Sequence, residues 1–126
     1  MRSTAGRSTR SATRNTSAAG RAAECRAAWH YRLRGYRILD RNAWTGGNEL
    51  DLVVRRGRSL VFVEVKSKAG TGFGDPLEMV TPLKIERIRR AAAAWLRRHP
   101  ELRGLDVRFD VIADRAGRLE HVPQAF

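Results

Sequence analysis

Apolar and polar residues alternate along this chain with periods that change from segment to segment. Between residues 20 and 34, Glu24, Ala27, Ala28 and Tyr31, followed by Gly35, fall on one helical face, and the glycine stands where a helix stops. Tyr36 to Arg41 reads as a short strand, and Asn42 to Asn48, with Gly46 and Gly47, as a loop. Two β-rich runs follow, Glu49 to Arg55 and Ser59 to Lys66, joined by a tight turn at Gly57 and Arg58, which predicts a hairpin. Ala69 to Asp75 carries Gly70, Gly72 and Gly74 and ends at Pro76, so a flexible loop is expected there. A second helix is announced by Thr81 as N-cap and Pro82 in the first helical position. Its stripe is Ile85, Ile88, Ala92, Trp95 and Leu96, and it should end near His99, ahead of Pro100. Asp106 to Ala113 and Leu119 to Val122 complete the pattern as two further strands.

The element order α-β-β-β-α-β-β predicts an α/β domain in which a hairpin-built mixed sheet, flanked by helices, receives a parallel strand through a crossover helix. The third strand, with Leu60, Val61, Phe62, Val63 and Val65, is apolar on both faces and should be central.

Composition narrows the setting. The 126 residues suffice for one domain, predicted over residues 20–126. Residues 1–19 read as a disordered basic tail, because they hold four Arg, four Ser, four Thr and no acid, without large apolar residues beyond Met1. Such a tail also resembles an organellar transit peptide, except that it lacks the apolar face of a targeting helix. The lone Cys25 excludes an internal disulfide and fits a reducing cytoplasm, and no apolar run approaches the length of a membrane span. With 25 basic against 13 acidic residues and a net charge of +12, polyanionic partners are favoured, nucleic acid foremost.

Against that background the acids of the sheet stand out. Alternation places Leu60, Phe62, Glu64 and Lys66 on one face of the third strand, so a carboxylate interrupts a face that begins as core. Glu49, Asp51 and Val53 share a face of the second strand, and the hairpin register sets Asp51 opposite Glu64 and Glu49 opposite Lys66. Facing carboxylates repel unless one is protonated, a cation bridges them or Lys66 neutralises them. Glu24, on the inward face of the first helix, would add another acid to the same place. An oxygen-only cluster suits Mg²⁺ or Mn²⁺, whereas Cys25, His30, His99 and His121 show no zinc spacing. Plainer readings exist for each residue alone. Glu24 could be a helix-dipole acid, Asp51 and Glu64 members of a solvated salt-bridge set with Lys66, and Asp75 turn chemistry. Lys84, Arg87 and their arginine neighbours could be a solvated helix face, and Trp29, Trp44 and Trp95 core or interface residues.

The joint blocks Gly47-Asn48-Glu49-Leu50-Asp51-Leu52, Val61-Phe62-Val63-Glu64-Val65-Lys66, Phe73-Gly74-Asp75-Pro76 and Thr81-Pro82-Leu83-Lys84, preceded by Glu24, strongly resemble the YraN family, also called UPF0102. That family resembles a compact member of the PD-(D/E)XK, or restriction-endonuclease-like, superfamily and is similar to archaeal Holliday junction resolvases. The resemblance implies a restriction-endonuclease-like α-β-β-β-α-β core. Asp51, Glu64 and Lys66 match the catalytic motif, Glu24 the helix-borne acid, and the Val65 carbonyl a further metal ligand. Leu50 stands where the motif has proline before the aspartate.

The implied activity is Mg²⁺- or Mn²⁺-dependent hydrolysis of phosphodiester bonds. DNA is expected rather than RNA, branched or flapped rather than sequence-specific, with Lys68, Lys84 and Arg87 on backbone phosphates. A symmetric dimer would suit a four-way junction. The alternative is a non-catalytic nucleic-acid-binding protein that keeps the same fold.

Overall fold

The computed structural model of the chain describes residues 18–68 and 80–126. The tail 1–17, the glycine segment 69–79 with Asp75, and the side chain of Lys68 lie outside the described residues. Helix α1 spans Ala18–Arg32 and starts two residues earlier than the tail boundary expected from composition. It closes as predicted at Gly35, where φ is 88°. The Tyr36 amide donates to the Tyr31 carbonyl and the Gly35 amide to that of Arg32, both at 3.0 Å, which satisfies two carbonyls that the helix end leaves open.

Strands β1 (Arg37–Thr45), β2 (Asn48–Arg56) and β3 (Ser59–Lys68) form an antiparallel meander. Helix α2 (Pro82–Arg97) crosses over to β4 (Asp106–Arg115), parallel to β3, and β5 (Arg118–Val122) returns antiparallel. The sheet order β1-β2-β3-β4-β5 puts β3 at the centre, as its two-faced apolar run predicts. Thr81 caps α2 by accepting a hydrogen bond from the Lys84 amide at 3.2 Å.

Each helix covers one face of the sheet. Ala27, Ala28 and Tyr31 of α1 pack on Leu52, Val54, Val61, Val63 and Ile112. Ile88, Ala91, Ala92 and Trp95 of α2 pack on Leu50, Val53, Leu60, Phe62 and Val111.

The expected loop over 42–48 is instead strand, reduced to a two-residue turn at Gly46 and Gly47, with φ of 60° and 79°. Two successive left-handed residues are what a type I′ hairpin turn requires, so the glycine pair joins two strands tightly. Gly46 also lies under α2: a Cβ there would sit 3.0 Å from the Arg90 carbonyl and 3.1 Å from the Ala94 methyl.

The same hairpin changes the expected faces. Leu50 packs under α2 but Leu52 under α1, so the alternation of β2 reverses at Asp51. Across from it, between the pairs Arg41–Leu52 and Ala43–Leu50, stands Asn42 with φ 51°. A left-handed residue inside a ladder turns the strand, and beyond it every side chain changes side. Glu49, Asp51 and Val53 therefore do not share a face by simple alternation.

Candidate functional site

The β2–β3 ladder runs in the predicted register from Arg56–Ser59 to Leu52–Val63 and stops there, while β3 continues beside β4 to the pair Lys68–Arg115. The pairing expected between Asp51 and Glu64, and between Glu49 and Lys66, is thus not reached, because the two strands separate before it. Asp51 occupies the gap. Its Oδ2 accepts the Val65 backbone N–H at 2.8 Å, taking the place of the carbonyl that a continued ladder would have offered. Val65 enters the site through its amide, and that amide faces Asp51.

Glu64 lies on the α2 side of β3, in line with Leu60 and Phe62, and is 4% exposed. Its Oε2 is 3.3 Å from the Lys66 ammonium and 3.8 Å from that of Lys84 at the start of α2. Lys84 therefore turns to the carboxylate rather than standing on an outer arginine face. Arg87, one turn further, is exposed. On the other side of the sheet, Glu24 Oε1 accepts from Asn42 Nδ2 at 3.1 Å. Glu24 thereby ties α1 to the left-handed residue that reverses the hairpin.

Burial raises the pKa of Asp51 well above the usual carboxylate range, and the charge of Glu64 adds to the rise. The Val65 amide opposes it, and the charges of Glu24 and Glu49 reinforce it. Asp51 thus holds a proton more tightly than an exposed aspartate, in a place with carboxylates on both sides.

Among the described residues no three His, Cys, Asp or Glu side chains converge tightly enough to hold a metal ion. What Asp51 and Glu64 provide is a pair of oxygen donors, and Mg²⁺ commonly takes one or two carboxylates and completes its shell with water and substrate phosphate. The donor set fits a hard divalent cation in that sense. Glu24, hydrogen-bonded to Asn42, lies near enough to Asp51 for its charge to act on that carboxyl.

A second polar constellation, for which the spacing of residues gave no expectation, lies under α1. Asp110, fully buried, accepts from Tyr31 Oη at 2.7 Å and from Arg108 Nε and Nη2 at 2.8 and 2.9 Å. The Gln124 amide donates to it at 3.0 Å, and His121 Nε2 lies 2.8 Å away. His121 Nδ1 in turn meets His30 Nε2 at 3.0 Å. Two histidines without ligand spacing in the sequence are therefore neighbours, 91 positions apart in the chain. Nearby, Asp114, buried as well, pairs with Arg26 of α1. The only hint in the sequence is that Asp110 and Asp114 interrupt an apolar strand.

Sequence comparison gives the family of the chain. The family model described as Uncharacterised protein family UPF0102 matches residues 23–113. The chain belongs to the UPF0102 family. It is 49% identical over 105 residues to a UPF0102 protein of Geobacter sulfurreducens, covering 79% of this chain and 80% of that one. It is 47% identical over 114 residues to one of Frankia casuarinae, covering 86% and 96%. The match to a UPF0102 protein of Anaeromyxobacter dehalogenans is likewise 47%, over 113 residues, covering 86% and 84%. The UPF0102 match spans α1 to β4, and so includes Glu24, Asp51, Glu64 and Lys66 together with Asp110. No helix among the described residues is long and apolar enough to cross a membrane.

Proposed function

We propose that this UPF0102 protein is a PD-(D/E)XK-type nuclease that hydrolyses phosphodiester bonds in nucleic acid, in branched or otherwise structured DNA before RNA, with Mg²⁺ or Mn²⁺ held by Asp51 and Glu64. The observation that carries this reading is the placement of Asp51 in the gap between β2 and β3. There a high-pKa carboxylate, a buried glutamate and the Lys66 ammonium come together on adjacent strands. A structural role alone gives little reason to end a ladder early and fill the gap with an acid beside another acid.

When bound, the cation supplies Lewis-acid polarisation of the phosphate and an acidified water. The residues of the chain do the rest. Asp51 would hold the cation as a carboxylate, and its raised pKa would make that binding compete with a proton. Glu64, almost closed to solvent, presents its carboxylate where little water competes for it. Lys66, 3.3 Å from Glu64, keeps a positive charge at the place where negative charge grows on the phosphate. Lys84 and Arg87, with Lys68, hold the flanking backbone without reading sequence. The reading assumes a cytoplasmic protein.

The non-catalytic reading draws on one observation of its own. Lys66 and Lys84 already neutralise Glu64, so the site is compensated without a cation. A cleavage panel of junction, flap, single-stranded and duplex substrates in Mg²⁺, Mn²⁺ and EDTA separates the two. The nuclease cuts at least one substrate only with metal, and Glu64→Gln abolishes cutting while binding persists. A wild-type chain that cuts nothing, and whose melting temperature ignores both metals, is a binding module.

A further inference from the structure

At the end of the sheet remote from Asp51 and Glu64, the chain carries an unusual concentration of like charge. Arg37 opens β1 and Arg55 closes β2, and the two are direct cross-strand partners. With Arg56, Gly35 and Gly57 they line a cleft of about 370 Å³. Like charges set opposite each other in a ladder are destabilising unless something compensates them. Among the described residues, none of these three arginines is in an ion pair with a carboxylate. The side-chain hydrogen bonds of Arg55 and Arg56 go to backbone. Arg55 Nε donates to the Gly57 carbonyl at 2.9 Å, and Arg56 Nη1 to the Arg34 carbonyl at 2.9 Å. The Arg56 guanidinium also lies 4.6 Å from the centre of the Tyr36 ring.

These contacts engage one guanidinium nitrogen of Arg55 and one of Arg56 and leave the other N–H donors at the rim of the cleft, where planar guanidinium groups suit phosphate oxygens. The turn residues help. Gly35 and Gly57, both at positive φ (88° and 60°), bring no side chain to the mouth of the cleft. Arg58, the next residue, is the one arginine of this turn with an acid nearby, Asp106 at 3.8 Å.

We propose that this arginine cleft is a second phosphate-backbone site, which grips nucleic acid at a distance from the carboxylates. The proposal rests on the nucleic-acid half of the function proposed above, not on cleavage. Asp51 and Arg55 are four residues apart on β2, which is about 13 Å of strand. With one phosphate for each 3.4 Å of axis per strand, a single tract engaging both ends would span about four nucleotides. The cleft would thus set the minimum length of backbone that the protein holds, and a second arm of a branched substrate could fill it instead.

The test measures binding of a short labelled duplex, by anisotropy, to the full chain carrying Glu64→Gln in EDTA, so that no cleavage step enters. Adding Arg37→Gln and Arg55→Gln should lower the salt slope by about 1.8, the value for two duplex phosphates. A fourfold rise in salt would then cost the variant roughly tenfold less affinity than its parent. The exposed Arg37→Gln alone should show half of this change in slope, and melting temperatures should hold or rise as the opposed charges are removed. An unchanged slope, or an equal loss in the control Arg97→Gln/Arg103→Gln, overturns the site.

Inorganic tripolyphosphate distinguishes the source of the phosphate. Binding of tripolyphosphate through these arginines by a chain that ignores both duplex and single strand overturns the nucleic-acid assignment. A silent cleavage panel with these binding effects intact defeats the nuclease reading and leaves the cleft standing.

Discussion

Asp110 is fully and Asp51 partly withdrawn from water within one five-stranded sheet, and their surroundings treat them in opposite ways. Burial pushes the Asp110 pKa up. Hydrogen bonds to His121, Arg108, Tyr31 and the Gln124 amide outweigh it and hold the carboxyl well below the usual range. Asp51 is given one amide donor and several acidic neighbours, and its pKa rises. A carboxylate surrounded by donors locks elements together: Asp110 joins α1, β4, β5 and the C-terminal residues through one pair of oxygens. A carboxylate held among other carboxylates stores a preference for something positive. Asp110 is buried and Asp51 partly so, both in strands, and it is their partners that set them apart.

The largest expected effect is on the satisfied side. Asp110→Ala removes the shared acceptor of Arg108, Tyr31 and His121 and should cost about 3–5 kcal/mol in urea denaturation, since buried donors are left without their partner. A loss below about 1 kcal/mol would mean that the constellation is a surface feature after all.

Next comes the metal. If Asp51 and Glu64 bind Mn²⁺, the wild type should gain about 2.7 kcal/mol at a hundredfold excess over Kd, seen as a higher melting temperature. That gain should shrink in Glu64→Gln and fade as pH falls, because the cation must displace the Asp51 proton. An equal gain in Glu64→Gln would place the cation elsewhere.

Asp51→Asn should act in the reverse sense to Asp110→Ala. In metal-free buffer above the elevated Asp51 pKa, where the carboxylate is ionised beside Glu64, it relieves like-charge repulsion and should stabilise by about 0.2–1 kcal/mol, and it should remove any metal-dependent cleavage. The pH dependences of the two acids differ in sign as well. The folded state binds the Asp51 proton more tightly, so its contribution falls as pH rises from the usual aspartate range through the elevated folded pKa. The folded state binds the Asp110 proton more weakly, so its contribution is full above that usual range and is lost as pH drops from it through the lowered folded pKa. Stability curves of Asp51→Asn and of Asp110→Asn, each against wild type, should diverge accordingly.

The smallest effect belongs to His30. Burial, with the charges of Arg34 and His121, lowers its pKa to about 4 against the partial pull of Asp110. Folding therefore opposes its protonation, and stability should decline as pH falls from about 6.5 towards 4. The partly exposed ring is screened, so His30→Gln should remove only a few tenths of a kcal/mol of that slope. A wild-type curve flat over this interval would show that the two rings titrate independently of folding.

Much of the fold was legible because its signals are local. Gly35 ended α1, Thr81 and Pro82 started α2, and the Gly57–Arg58 turn set the register of β2 on β3. The two-faced apolar run of β3 put it at the centre. The clearest miss in element type was the hairpin at residues 42–48. Gly46 and Gly47 read equally as loop or as a type I′ turn, and the choice depends on whether a partner strand lies alongside.

The sequence by itself determined the element types outside residues 42–48, the parallel crossover and the residue types of the carboxylate pair, because helix caps, tight turns and alternation act between near neighbours. Only the tertiary structure decided that β2 leaves β3 after Leu52–Val63, that Asp51 fills the gap, and that Lys84 turns inward to Glu64. It alone brought His30 to His121 and gathered Arg37, Arg55 and Arg56 around one cleft. Those outcomes depend on where one left-handed residue, Asn42, turns the edge of the sheet, and on contacts between strands distant in sequence. Neither is written in the spacing of residues along the chain, because the energy of a charged group is set by what surrounds it in space.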